Sequence, residues 1–200
     1  MNIEELYQQD KDEALDALCE AFYDYPVMRY VLSDAGGDYD IHLRAMIDSF
    51  CENRLGRGQP IYAIRAADQT IAVAVVSSPV RIPDTPELRD LHIRFDQLLG
   101  DAAVDRLGKY DDLCIAGEPD RPHHYLGMLG VRTRHQGQGL GRSLVEHVKN
   151  IVRGDETSEG ICLNTETENN IPIYKRLGFR ILSEARLDGL HTRCMFWESD

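Results

Sequence analysis

No apolar run in the 200-residue chain approaches the length of a membrane-spanning helix, which argues against a membrane partner. The opening segment, MNIEELYQQDKDEALDAL, carries acidic residues and no apolar core, so it does not read as a secretory leader. A cytoplasmic location is expected. Cysteine is sparse and scattered: Cys19, Cys51, Cys114, Cys162 and Cys194, an odd number with no CxxC. Free thiols in a reducing compartment suit that pattern better than a disulfide framework. His123 and His124 are adjacent but have no second cluster at ligand spacing, so no metal is expected. Positive charge is also in deficit. Lys and Arg number 22 against 34 Asp and Glu, a net charge of −12. That balance makes nucleic acid a poor partner and suits a cationic or amine-bearing small molecule.

What is present divides into periodic segments. Residues 10–23 place Leu15, Leu18, Cys19 and Phe22 on one helical face. Pro26 interrupts that helix, and VMRYVL reads as a short second one. Residues 38–55 read as a third, with Ile41, Ala45, Ile47 and Phe50 as its apolar candidates. IYAIRA (61–66) and TIAVAVVSS (70–78) read as a hairpin. After a proline-marked linker, residues 87–107 read as one helix whose stripe is Leu88, Leu91, His92, Phe95, Leu98 and Leu99. HYLGMLGV (124–131) and ICLNT (161–165) suit strands buried on both faces. Between them, Leu140, Leu144, Val145, Val148, Ile151 and Val152 form a helical stripe. NIPIYKRL (170–177) is a short helix stopped by Gly178, and a closing hairpin turns at Asp188-Gly189. The order predicts a single α/β domain with a mixed sheet.

Three alternate glycines, Gly137, Gly139 and Gly141, stand between the apolar strand and the striped helix. The Walker phosphate loop does not fit, because the segment holds no lysine and the spacing is wrong. The dinucleotide form GxGxxG would need glycine where Arg142 stands. The form [Gln/Arg]-x-x-Gly-x-[Gly/Ala] is met at every position by Gln136, Gly137, Gln138, Gly139, Leu140 and Gly141. Orphan N–H groups at a helix start carry the positive end of the dipole, and glycine lets a pyrophosphate approach the backbone. Arg132, Arg134 and Arg142 add positive charge. On the glycines alone, an ordinary turn with solvated arginines explains the segment as well.

The segments HHYLGMLGV, HQGQGLGRSLV, LNTETENNIPIYKRLGF and TRCMFW together resemble the GCN5-related N-acetyltransferase (GNAT) superfamily. They are most similar to its branch containing puromycin N-acetyltransferase, as is AFYDYPVMRYVL more loosely. The resemblance implies a GNAT-like fold: a mixed, mostly antiparallel sheet flanked by helices and splayed between two parallel central strands, here 124–131 and 161–165. It implies acetyl-CoA as cosubstrate and a primary amine as acceptor, joined by direct attack in a ternary complex. Residues 124–185 would form the acetyl-CoA-binding core and residues 1–60 a helical acceptor-side region. Gln136, Gly137, Gln138, Gly139, Leu140, Gly141 and Arg142 would bind the pyrophosphate. Leu129, Gly130 and Val131 would offer main-chain bonds to pantetheine, Asn170 would contact the cofactor arm, and Tyr174 would stand by the sulfur. The fold also commonly forms homodimers. One departure is Asn164, where relatives in that branch often carry glutamate.

With Tyr174 placed by the resemblance beside the sulfur, its catalytic role would be to hydrogen-bond and protonate the departing thiolate, although a core tyrosine packed under the sheet also suits the position. A phenol titrates near ~10 and a simple thiol near ~8.5. A base for the amine stays open among Glu118, His123, His124, Glu166 and a water chain. On the acceptor side, Tyr23, Asp24 and Tyr30 would receive an ammonium through charge and cation–π contact, although Asp24 also suits a cap at Pro26. Two other classes remain: a non-catalytic CoA-binding regulatory protein, and a nucleotide-binding α/β domain.

Overall fold

In the computed structural model, residues 2–80 and 82–199 are described. Segments of helical period form α1 (Lys11–Phe22), α2 (Pro26–Val31), α3 (Tyr39–Leu55), α4 (Pro86–Leu99), α5 (Asp101–Gly117), α6 (Leu140–Arg153) and α7 (Ile171–Arg176). Extended segments form β1 (Ile3–Leu6), β2 (Ile61–Ala66), β3 (Gln69–Ser77), β4 (His124–Val131), β5 (Gly160–Thr165), β6 (Arg180–Leu187) and β7 (Leu190–Glu198). The strands make one seven-stranded sheet in the order β1-β2-β3-β4-β5-β7-β6. Only β4 and β5 run parallel; the other neighbours are antiparallel. The predicted α/β class and the two parallel central strands are thus observed.

Each sheet face is covered because each offers an apolar surface. On one face, Val73, Val75 and Met128 pack with Leu15 and Leu18 of α1 and Leu43 and Ile47 of α3. On the other, Ala72, Ala74, Val76 and Leu126 pack with Leu140, Leu144, Val145, Val148 and Val152 of α6. The α6 stripe is almost wholly buried, and each such side chain stabilises the layer by roughly 1.5–3 kcal/mol relative to exposure. The final hairpin turns where expected, with Asp188 at φ 45° and Gly189 at φ 91°, the left-handed pair that matches strand twist.

The structure differs from the expected pattern at several points. Residues 3–6 add an edge strand, pairing Ile3 with Ile64 and Leu6 with Ile61. The helix expected over 87–107 is two, broken at Gly100, whose φ of 77° is cheap only for glycine; α5 then continues to Gly117. Leu98, placed on the predicted stripe, is 46% exposed, and α4 buries Leu88 and Leu99 instead. In α3 the buried face is Leu43, Met46, Ile47 and Cys51, whereas Ile41 is 62% exposed. β4 is not buried on both faces: His124, Leu126, Met128 and Gly130 are buried, Tyr125, Leu129 and Val131 half-buried, and Gly127 exposed. A bulge explains part of this. The pairing steps from Val75–Met128 to Val76–Leu126 and leaves Gly127 unmatched.

The sheet tolerates no side chain at the start of β5. A Cβ at Gly160 would overlap the carbonyl oxygen of Trp197 and the ring of Phe196 on β7. Gly160→Ala is therefore expected to destabilise the fold by at least about 2 kcal/mol, read as a lower midpoint in urea unfolding. A variant matching the wild type would contradict the packing described.

Candidate active site

β4 and β5 pair only at His124–Ile161 and Tyr125–Cys162. Beyond those pairs the strands part. β4 stays bound to β3 as far as Val131, and β5 stays bound to β7 as far as Thr165. The inner edges beyond the fork therefore face a gap rather than a strand. A cleft of about 180 Å³ opens there. Its walls come from β4 (Gly127, Leu129), β5 (Asn164), α3 (Asn53, Arg54) and neighbouring helices.

The glycine segment stands at the end of β4, at the start of α6. Gly137 and Gly139 have φ of 75° and 79°, and a Cβ built on either meets nothing within 4 Å. Their backbone is thus open to solvent, and residues 136–139 are exposed. The first bond of the α6 ladder runs from the Ser143 N–H to the Gly139 carbonyl at 2.9 Å. The N–H groups of Leu140, Gly141 and Arg142 come before it and have no acceptor in the helix. Gly141 lies under β4, where a Cβ would sit 3.7 Å from the Leu129 side chain. This surface fits a diphosphate: bare backbone, free donors and the positive end of a 14-residue helix.

The arginines near the loop divide. Arg132 donates to Glu20 Oε2 and to the Thr70 carbonyl, both at 2.8 Å. Arg134 donates to Gln69. Arg142 is exposed on the first turn of α6. The Gln136 amide donates to the Val131 carbonyl at 3.1 Å and ties the loop to the strand end.

Inside the cleft, hydroxyls converge on Glu166. Tyr110 Oη donates to Glu166 Oε1 at 2.8 Å, and the Glu166 main-chain N–H donates to Tyr25 Oη at 3.4 Å. The Tyr25 and Thr165 hydroxyls lie 3.2 Å apart, and Asn170 Nδ2 donates to Thr165 Oγ1 at 3.1 Å. Burial raises the Glu166 carboxyl above the usual glutamate range, and the surrounding hydrogen bonds only partly offset it. Tyr174 lines the same cleft, its ring 5.6 Å from that of Phe179. Burial, with the nearby Glu166 charge, pushes its phenol up, so it stays protonated through neutral pH. Asp111, on the cleft side of α5, is pushed up to about 6 by its surroundings and by Asp112, although part of it meets solvent. Asn164 Nδ2 donates to Tyr125 Oη at 3.0 Å; its Oδ1 is buried and has no partner among the described residues.

The residues expected from the sequence are placed as follows. Leu129, Asn170 and Tyr174 line the cleft. Gly130 lies against α1, and a Cβ there would crowd Ala21 and Leu18 at 3.0 Å. Val131 is half-buried beside the loop. Tyr23, Asp24 and Tyr30 do not line the cleft. Asp24 pairs with Arg29 at 2.6 Å in solvent, Tyr23 is 42% exposed, and Tyr30 donates to Asp188 at 3.1 Å. Their neighbours Phe22 and Tyr25 line it instead. Among the base candidates, Glu166 alone is in the cleft; His123 faces Glu118 at 3.6 Å, and His124 meets Ser158 at 2.9 Å, near the first residues of β4. Arg54, Tyr110 and Asp111 carried no motif, and only the fold assembles them.

Residues 96–181 match the model of an acetyltransferase (GNAT) domain. A 5-NmdU N-acetyltransferase from Pseudomonas phage PaMx11 is 31% identical over 72 residues, which is 36% of this chain and half of the phage protein's length. A Corynebacterium glutamicum structure, described as histone acetyltransferase HPA2 and related acetyltransferase, aligns over all of this chain and 96% of its own. Its TM-score is 0.69 at 23% identity. Arylalkylamine N-acetyltransferase 2 from Aedes aegypti aligns over all of this chain and 99% of its own, with a TM-score of 0.72 at 13% identity. Residues 96–181 are therefore similar to an acetyltransferase (GNAT) domain, and the fold is shared from end to end with solved structures described as acetyltransferases.

Proposed function

We propose that the protein is an acetyl-CoA-dependent N-acetyltransferase that moves the acetyl group to a primary amine within a ternary complex. The observation that carries this reading is the parting of β4 from β5 after two pairs, beside a helix start with open glycine backbone. The resemblance to the puromycin N-acetyltransferase branch belongs to the same proposal and rests on the quoted segments.

Bound acetyl-CoA would supply the thioester carbonyl that the amine attacks. The N–H groups from Gly137 to Arg142 would hold the diphosphate, with Arg142 as the exposed cation nearby. Main-chain donors on β4 would hold the arm and the carbonyl oxygen. The Arg132 N–H bonds to Ile71 across β3, so strand alternation turns the main-chain groups of Val131 and Leu129 towards the open edge. Such fixed donors stabilise the charge that develops on the oxygen. Tyr174, kept protonated by its raised pKa, would hydrogen-bond to the sulfur and pass it a proton as the thiolate leaves, regaining one from the protonated Glu166 directly or through water. Glu166 would take the amine's proton, directly or through one water. Its raised pKa brings it nearer to working pH.

Release of free thiol from acetyl-CoA with a panel of amines tests the reading. Thiol release that depends on an amine is expected. Tight CoA binding without release by any amine would leave a non-catalytic CoA-binding regulatory protein, and no CoA binding would end both readings.

Tyr174→Phe is expected to lower kcat by roughly 100-fold with little change in acetyl-CoA affinity; unchanged turnover would remove Tyr174 from the chemistry. With an acceptor of low pKa, so that only the enzyme titrates, kcat/KM is expected to rise with pH on a limb centred above glutamate's ordinary value. Glu166→Gln should abolish that limb. The same variant bears on stability. The folded-state pKa of Glu166 lies above its unfolded value, so ionisation opposes folding. The penalty is absent below the unfolded pKa and complete above the folded one. Glu166→Gln should therefore melt above the wild type at pH 8 and level with it at acid pH.

A further inference from the structure

We infer that the acceptor is a small amine that also carries an anionic group, carboxylate or phosphate, and that Arg54 binds that group. The inference rests on the proposed acetyl transfer, because it takes this cleft as the acceptor's site.

Arg54 is on α3, near its C-terminal end, and faces the cleft. Among the described residues its side chain makes one hydrogen bond, from Nη1 to Gln59 Oε1 at 3.3 Å. Its Nη2 lies 3.8 Å from where a Cβ would stand on Gly127, the bulged residue of β4. No carboxylate lies within salt-bridge distance of it among the described residues. Every other described arginine that is not solvent-exposed has such a partner: Arg57, Arg65, Arg106, Arg121, Arg132 and Arg193. In a chain with twelve more acidic than basic groups, a half-buried guanidinium without an anion is an exception. Its surroundings work against its charge, since burial and the neighbouring Arg57 both draw its pKa down. Leaving such a charge uncompensated is costly. A bound anion would relieve that cost, and the planar fork of donors matches carboxylate and phosphate oxygens.

The rest of the cleft completes the pattern. Asp111 and Glu166 supply the acidic groups, yet neither is within salt-bridge range of Arg54, so opposite charges line one cavity without cancelling. A molecule with an ammonium at one end and an anion at the other satisfies both. The unpartnered Asn53 Oδ1 and Asn164 Oδ1 are further acceptors on this wall. Gly127 leaves the guanidinium uncovered, because any side chain at that position would stand beside Nη2.

The test is equilibrium binding by calorimetry to the full chain with CoA present. Matched probes are 4-aminobutyrate against butylamine, and O-phosphoethanolamine against ethanolamine. Wild-type protein is expected to favour the anionic member of at least one pair by roughly 10- to 100-fold, and the favoured pair tells carboxylate from phosphate. Arg54→Gln should collapse that ratio and Arg54→Lys should keep part of it. Equal binding within both pairs, no binding of any probe, or a ratio that survives in Arg54→Gln would each overturn the inference. The wild-type ratio is decisive even if a variant fails to fold. Thiol release with the same probes separates the two proposals. Turnover without preference defeats only the Arg54 assignment; preference without turnover defeats only the acetyl-transfer reading.

Discussion

The contact between β4 and β5 is limited to two residue pairs, and the cleft exists because it goes no further. Each strand is secured on its outer side, β4 by β3 and β5 by β7, so the sheet remains whole while its middle opens. At the fork the side chains take over from the ladder: Asn164 bonds to the Tyr125 hydroxyl, and Tyr125 packs on a small buried cluster of Cys162, Cys194 and Phe196. Beneath the gap, α6 packs against residues of β3, β4 and β5 alike. One helix thus bridges the parted strands and presents its N-terminus at the same place.

That arrangement would let an acidic protein offer the proposed diphosphate site. The net charge of −12 repels a diphosphate at long range. Two of the three arginines near the loop are engaged with Glu20, Thr70 and Gln69. The proposed attraction would then be short-ranged, with backbone N–H groups supplying it without a mobile side chain. The left-handed turns at Gly137 and Gly139 are the local cost of aiming those groups outward.

Much of this was legible in the residues. The glycine loop, the α6 stripe, the closing hairpin and the two central strands follow from period and turn chemistry. The edge strand at 3–6 was not, because four residues with acidic neighbours carry no alternation long enough to read. Gly100 looked tolerable within a helical period, yet its positive φ divides the segment and turns α5 towards the cleft. On the acceptor side, the aromatic cluster was read in the right place with the wrong residues. α1 ends at Phe22 and α2 starts at Pro26. Which residues of so short a turn point inward depends on how α2 docks, so Phe22 and Tyr25 line the cleft while Tyr23 and Asp24 meet solvent. Glu166 was one of four side chains named as a base, and only its place in the cleft separates it from the others; Arg54 carries no motif and is distinguished by having no carboxylate partner among the described residues.

In the proposed mechanism the cleft separates two proton tasks that would conflict in water. Tyr25, Tyr110 and Tyr174 have phenols raised by burial and by the nearby Glu166 charge. Their protons are therefore held as donors for as long as Glu166 is ionised. The same burial raises Glu166, but its Tyr110 hydrogen bond favours the carboxylate and limits the rise. A carboxylate among hydroxyls that stay protonated at rest is a proton acceptor beside proton donors in one cleft. A phenolate beside an ionised carboxylate is disfavoured by the same burial, so in the proposed mechanism Tyr174 gives up its proton only after Glu166 has taken the amine's. That order would set the direction of proton movement across the cleft.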